Sequence, residues 1–81
     1  MRVRVRLFAR LREIAGAPEL SREVAGPATV AAVWSGLVTE FPEFAPYEAS
    51  VSCAVNADYA RLTSAIRDGD EVAFLPPVSG G

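Results

Sequence analysis

The sequence has no histidine, no lysine and a single cysteine. Without histidine, zinc sites of the Cys/His type, Ser-His-Asp triads and Cys-His pairs are excluded, so if the protein takes part in catalysis its side chains are not expected to perform it. One thiol, Cys53, cannot close an internal disulfide, which fits a reducing compartment. All eight basic residues are arginine. A coding preference accounts for that, since surface Arg and Lys exchange unless a planar fork is needed. It still has one chemical consequence: an activated carboxyl group finds no ε-amine on this chain. No apolar run is long enough for a signal sequence or a membrane span, and the arginine-rich start alternates at period two, as a strand does and a transit peptide does not.

What is present describes one small domain. Apolar residues make up 51% of the 81 and charged residues 22%, with a formal net charge of -2. That composition suits a globular protein and gives no support for nucleic-acid or membrane binding. A domain of this size buries only about 60% of its unfolded surface, so a single core is the limit.

Val3, Val5 and Leu7 share one face of a first strand, and Arg2, Arg4, Arg6 and Phe8 share the other, which leaves Phe8 as an apolar ring on the outer side. A short helix is predicted over 8–15, with Leu11 and Ile14 three apart and Gly16 and Pro18 closing it. Leu20, Arg22 and Val24 alternate in a second strand that pairs with the first, and Gly26-Pro27 breaks it. Thr29 is expected to cap the main helix, whose apolar positions Val30, Val33, Trp34, Leu37, Val38 and Phe41 keep three-four spacing up to Pro42. Gly36 within it carries no assigned function. Phe44, Pro46 and Tyr47 read as an irregular apolar connection.

Val51, Cys53 and Val55 alternate again, with the turn former Asn56 after them, so Cys53 points inward as a structural thiol. A short strand is predicted around 59–62. Asp68-Gly69-Asp70 is a turn, and its acidic cluster with Glu71 lacks the spacing of a calcium loop, so no metal site is expected. The last strand, 71–75, places Val72 and Phe74 on one face and Ala73 and Leu75 on the other, and Pro76-Pro77 ends it. The element order predicts an α+β fold, a helix across one face of a mixed sheet, with Trp34 anchoring the core.

The sequence closes on Pro76-Pro77-Val78-Ser79-Gly80-Gly81, expected to be an extended tail after a domain of residues 1–75. A glycine pair at two given positions arises in roughly 0.5% of chains by composition alone, so the residues before it must decide its meaning. The run from Asp68 through Glu71-Val72-Ala73-Phe74-Leu75 to Gly81, with Leu7-Phe8-Ala9-Arg10-Leu11-Arg12-Glu13 and Ala54-Val55-Asn56, resembles the small, sulfur-carrying subunit of molybdopterin synthase over nearly the whole chain. The resemblance implies the β-grasp, ubiquitin-like fold. It implies that an activating enzyme uses ATP and magnesium to adenylate the C-terminal glycine, matched by Gly81, and that a sulfur donor system then converts it to a thiocarboxylate. The charged tail would enter the large synthase subunit and give sulfur to cyclic pyranopterin monophosphate, in a cytoplasmic assembly of two small and two large subunits. It also implies docking through Phe8, Tyr59 and Leu75, of which Phe8 and Leu75 face outward by strand parity. Arg10 and Arg12 are either rim contacts or a solvated helix face. The protein itself is not expected to be an enzyme or to bind a cofactor.

The tail has a physical logic apart from any family. Glycine at 80 and 81 removes the Cβ that would crowd attack on the terminal carbon, and the proline pair holds the tail base extended, which lowers the entropy lost on insertion. Six residues at about 3.3 Å each reach on the order of 20 Å. Three other readings fit the same residues: a sulfur carrier for thiamine, tRNA or another cofactor; a ubiquitin-like protein modifier; and a plain interaction module that needs no free end.

Overall fold

Alternation of arginine with valine and leucine decides which way the first strand faces. In β1 (Arg2–Leu7) the arginines are exposed and Val3, Val5 and Leu7 are buried. The computed structural model describes residues 1–77; Val78, Ser79, Gly80 and Gly81 of the predicted tail lie outside the described residues. After β1 come α1 (Ala9–Ala15), β2 (Glu19–Glu23), β3 (Ala28–Thr29), α2 (Val30–Glu40), a 3-10 helix (Pro42–Tyr47), β4 (Ser52–Val55), β5 (Asp58–Ala60), β6 (Ala65–Ile66) and β7 (Glu71–Leu75).

The described residues form a five-stranded sheet in the order β2-β1-β7-β4-β5, with a second ladder of β3 and β6. β1 and β7 run parallel at its centre, with Arg4 opposite Glu71 and Leu7 opposite Phe74. The other pairs in the sheet are antiparallel. A parallel neighbour needs a crossover connection, and the crossover carries α2 over the inner face. Val30, Val33, Trp34 and Leu37 of α2 meet Val3, Val5, Leu7, Cys53, Val72 and Phe74 of the sheet in one core. Each such aliphatic or aromatic side chain contributes about 1.5–3 kcal/mol when fully buried. This is the predicted β-grasp, an α+β fold with its short extra helix between the first two strands.

Trp34 anchors the core as expected, with ring centroids 5.6 Å from Phe44 and 5.1 Å from Phe74. Its indole nitrogen has no hydrogen-bond partner among the described residues. That costs about 1–3 kcal/mol, offset by the large apolar area that the two neighbouring rings cover.

Three expectations are corrected, and one element is new. The connection after α2 is a 3-10 helix rather than irregular: Pro42 starts it, where no amide donor is needed, and Phe44 from it is fully buried. Thr29 occupies the N-cap position of α2, but its side chain makes no capping bond. Instead the Val30 and Ala31 amides donate to the carbonyls of Ser64 and Leu62, at 3.0 and 2.8 Å, so a distant stretch of backbone caps the helix. The strand expected over 59–62 is Asp58–Ala60. The β3–β6 ladder, two residues on each side, was not foreseen.

Positive φ angles mark the tight turns. Gly16 at +77° closes α1, its amide donating to the Arg12 carbonyl at 2.9 Å, and Gly69 at +87° donates to the Arg2 carbonyl at 2.7 Å. Glycine suits both positions. The two-residue turn between β4 and β5 has φ +50° at Asn56 and +72° at Ala57, the signs of a type I′ hairpin, where Asn-Gly is the favoured pair. Ala57→Gly is therefore expected to stabilise the fold by up to about 1 kcal/mol, measured as a rise of roughly 4–8 °C in Tm.

Candidate functional site

The inner face of the sheet is filled by α2, so the outer face is where a partner can bind. Strand register sets its composition: Arg6 on β1, Ala73 on β7, Ala54 on β4 and Tyr59 on β5 stand in one row. The two alanines leave the middle of the row low. Tyr59 rises at one end, 89% exposed, the one exposed large apolar side chain among the described residues. At the other end are Phe8 and Leu75, both half-buried. Phe8, Ala54, Tyr59, Ala73 and Leu75 thus line a shallow hollow of about 290 Å³ with Arg6 and Glu71 on its rim.

Phe8 and Leu75 also form a wall of a second hollow of about 650 Å³, which Ala9, Arg10, Glu13, Tyr47, Pro76 and Pro77 complete. The two side chains are therefore a ridge between two depressions, at the point where β7 ends and Pro76-Pro77 begins. The structure brings Phe8 and Leu75, placed outward by strand parity, to one face with Tyr59, and sets Pro76 and Pro77 beside them. Gly81, Gly80, Ser79 and Val78 lie outside the described residues. Arg10 lines the second hollow and stands 3.9 Å from Glu43.

Charge on this face is balanced locally. Arg4 lies 3.6 Å from Glu19 and 3.5 Å from Glu71, whose other oxygen is 3.9 Å from Arg6. The Arg6 guanidinium also sits 5.4 Å from the centre of the Phe8 ring, a cation–π contact worth about 0.5–1 kcal/mol at an exposed site.

Asn56 fixes the Tyr59 hairpin against the root of β7. Its amide donates to the Glu71 carbonyl at 2.8 Å, its Oδ1 accepts from the Glu71 amide at 3.0 Å, and its Nδ2 donates to Asp70 Oδ1 at 2.9 Å. Asp70 Oδ2 accepts from the Arg67 amide at 2.8 Å, and Asp68 Oδ1 accepts from the Arg2 amide at 2.6 Å. The acidic cluster is thus turn chemistry, each of its carboxylates holding protein donors or cations. Sequence reading took Asn56 as a turn former and passed over its bridging role. It also passed over Arg6, Tyr47 and the Ala54–Ala73 floor, for which cross-strand parity was the available signal.

The hydrogen bond from Asn56, then that from the Arg67 amide, holds the Asp70 carboxyl below its ordinary 3.8. A carboxyl with a depressed folded-state pKa stabilises the fold above its unfolded value, and the contribution is lost as pH falls through the lower, folded value. Asp70→Asn is expected to remove that part of the acid dependence below about pH 4, leaving stability at pH 7 changed only slightly because the group is solvent-screened. Urea titrations of both proteins across the acid range check this.

Cys53 is buried, and its Sγ donates to the Ala60 carbonyl at 3.3 Å. Burial pushes its thiol up from the ordinary range, opposite to what a nucleophile needs. Ellman's reagent is expected to leave the native protein unmodified at pH 7.5 and to titrate one thiol after denaturation.

A β-grasp core whose apolar outer ridge stands beside the root of its C-terminal segment places the chain among the ubiquitin-like proteins. More narrowly, it belongs to the ThiS family, whose sequence profile matches residues 5–81. The chain is 34% identical to a molybdopterin synthase sulfur carrier subunit of Arabidopsis thaliana, covering 98% of this chain and 82% of that protein. Among solved structures it is similar to SAMP1 from Haloferax volcanii, with a TM-score of 0.85, 32% identity and complete coverage of both chains. It is also similar to a chain of the BexX/CysO complex of Amycolatopsis orientalis, with a TM-score of 0.72 and 26% identity over 98% of this chain and 99% of that one. No helix among the described residues is long and apolar enough to cross a membrane.

Proposed function

We propose that this chain is the sulfur carrier subunit of a molybdopterin synthase. The observation that carries the reading is its likeness to the Arabidopsis sulfur carrier subunit along almost its whole length. The ridge of Phe8 and Leu75 beside Pro76-Pro77 supports it by supplying docking area at the base of the tail.

In this reading Gly81 is the reacting residue. An activating enzyme joins its carboxylate to the α-phosphate of ATP with magnesium, releasing pyrophosphate. A sulfur donor then displaces AMP to leave a thiocarboxylate. Docking places the tail, from Pro76 through Val78, Ser79 and Gly80, in the large subunit, where cyclic pyranopterin monophosphate takes the sulfur and water restores the carboxylate. Catalytic side chains are supplied by the partner, in a cytoplasmic assembly of two small and two large subunits. A tail of six residues offers too little area to bind well alone, which is why a docking face is needed.

Full-length protein incubated with the activating enzyme, ATP, magnesium and a sulfur donor is expected to show an oxygen-to-sulfur mass exchange localised to Gly81. Deleting Gly81 is expected to abolish loading while circular dichroism and docking to the large subunit are retained. Sulfur transfer by the truncated protein would reject the reading. Sulfur transfer to a thiazole precursor or tRNA, with none to the pterin, would move the chain to another carrier class.

The likeness to SAMP1, a small archaeal modifier protein by its full name, favours one second reading, attachment of Gly81 to amines of other proteins. Isopeptide-linked Gly81 recovered from cells would support it; recovery of free acid and thiocarboxylate alone would oppose it.

A further inference from the structure

Ala9 has a φ of +50°, in the left-handed region where an alanine side chain is disfavoured. Among the described residues Gly16, Gly69 and the hairpin pair Asn56-Ala57 also have positive φ; Ala9 differs from them in standing where a strand passes directly into a helix. Its place in the fold gives the strain a purpose. Leu7 is the last residue of β1 and is buried, with its amide donating to the Pro18 carbonyl at 2.9 Å. Leu11, four residues later, is buried in the same core from α1. Between them the chain must leave the strand, turn back, and still keep Phe8 on the outer face.

Phe8 is extended, with φ -126° and ψ 153°, so it continues the strand parity of Arg6 and stands beside Leu75. The reversal into α1 then falls on Ala9, and the Leu11 amide closes it onto the Phe8 carbonyl at 3.1 Å. The positive φ at Ala9 is thus the step that joins the extended Phe8 to the first turn of α1, with Phe8 on the outer face and Leu11 in the core.

We infer that Ala9 is a positioning residue for docking: its left-handed backbone fixes the Phe8 ring on the ridge between the two hollows. Strained backbone held by its surroundings is found where a neighbouring group must be aimed. The inference rests on the proposed docking of Phe8 to a synthase large subunit.

The experiment is a set of binding titrations between a large synthase subunit and four full-length proteins: the parent, Ala9→Val, Phe8→Ala, and the double variant. Valine resists positive φ more strongly than alanine. Phe8→Ala is expected to lower affinity roughly 30-fold, as an interface hot spot does. Ala9→Val is expected to lower it about tenfold in the parent and not at all in the Phe8→Ala background, because its effect passes through the ring. A general loss of structure would weaken both backgrounds equally and overturn the inference, as would a folded Ala9→Val protein with parental affinity. If Ala9→Val fails to fold, a ligated protein with D-alanine at position 9 decides. D-alanine prefers positive φ, so it is expected to raise Tm by roughly 4–8 °C and keep parental affinity, and a loss of affinity would defeat the inference. Unchanged affinity in Phe8→Ala alone would reject the docking reading and the role of Ala9 with it.

Discussion

The parallel ladder between β1 and β7 is the constraint on which the rest of the structure depends. It joins the beginning of the domain to its end, with Val5 opposite Val72 and Leu7 opposite Phe74. Strands that run side by side in the same direction cannot be joined by a tight turn, so the intervening chain must cross the sheet, and α2 is what crosses it. The same register carries Phe8 and Leu75, each one residue further on, to the same edge of the outer face. Core and outer apolar ridge are consequences of a single pairing, read on its two sides.

Polar groups refine what that pairing sets up. Glu71 stands at the start of β7, between Arg4 and Arg6 by its side chain and tied to Asn56 by its backbone. Asn56 reaches on to Asp70 and so links the β4–β5 hairpin to the turn that launches β7. The hairpin carries Tyr59. Two walls of the outer hollow, distant in sequence, are thus held in relation by one amide side chain, and exposed ion pairs worth little individually keep the rim electrically balanced.

Much of this was legible in the residue pattern. Period two in residues 2–7 and 71–75 identified the central strands and their faces, and three-four spacing from Val30 to Phe41 identified the main helix. Trp34, Phe8 and Leu75 were oriented by those periods, and Cys53 by the alternation of Val51, Cys53 and Val55. What escaped was set by contacts between distant residues or by segments too short to show a period. The β3–β6 ladder has two residues a side, and α2 is capped by Leu62 and Ser64 rather than by Thr29. Two prolines made Pro42–Tyr47 look irregular, although proline at a helix start is compatible with a 3-10 turn and Phe44 had a core to fill. At the site, Tyr59 entered through resemblance, since its strand is three residues long, and the hollow in front of it exists only because register sets Ala54 against Ala73.

The placement of the aromatic rings gives the molecule an optical reporter of its interior. Trp34 is the single tryptophan and lies sealed between Phe44 and Phe74 on the helix side of the sheet, so its emission follows melting of the interior. Tyr59 stands in solvent on the opposite side, and its absorbance responds to whatever covers that surface. Melting of the interior can therefore be followed through Trp34 emission in the unlabelled protein, whereas the tyrosine band is shared by Tyr59 and Tyr47 and overlaps the absorbance of Trp34.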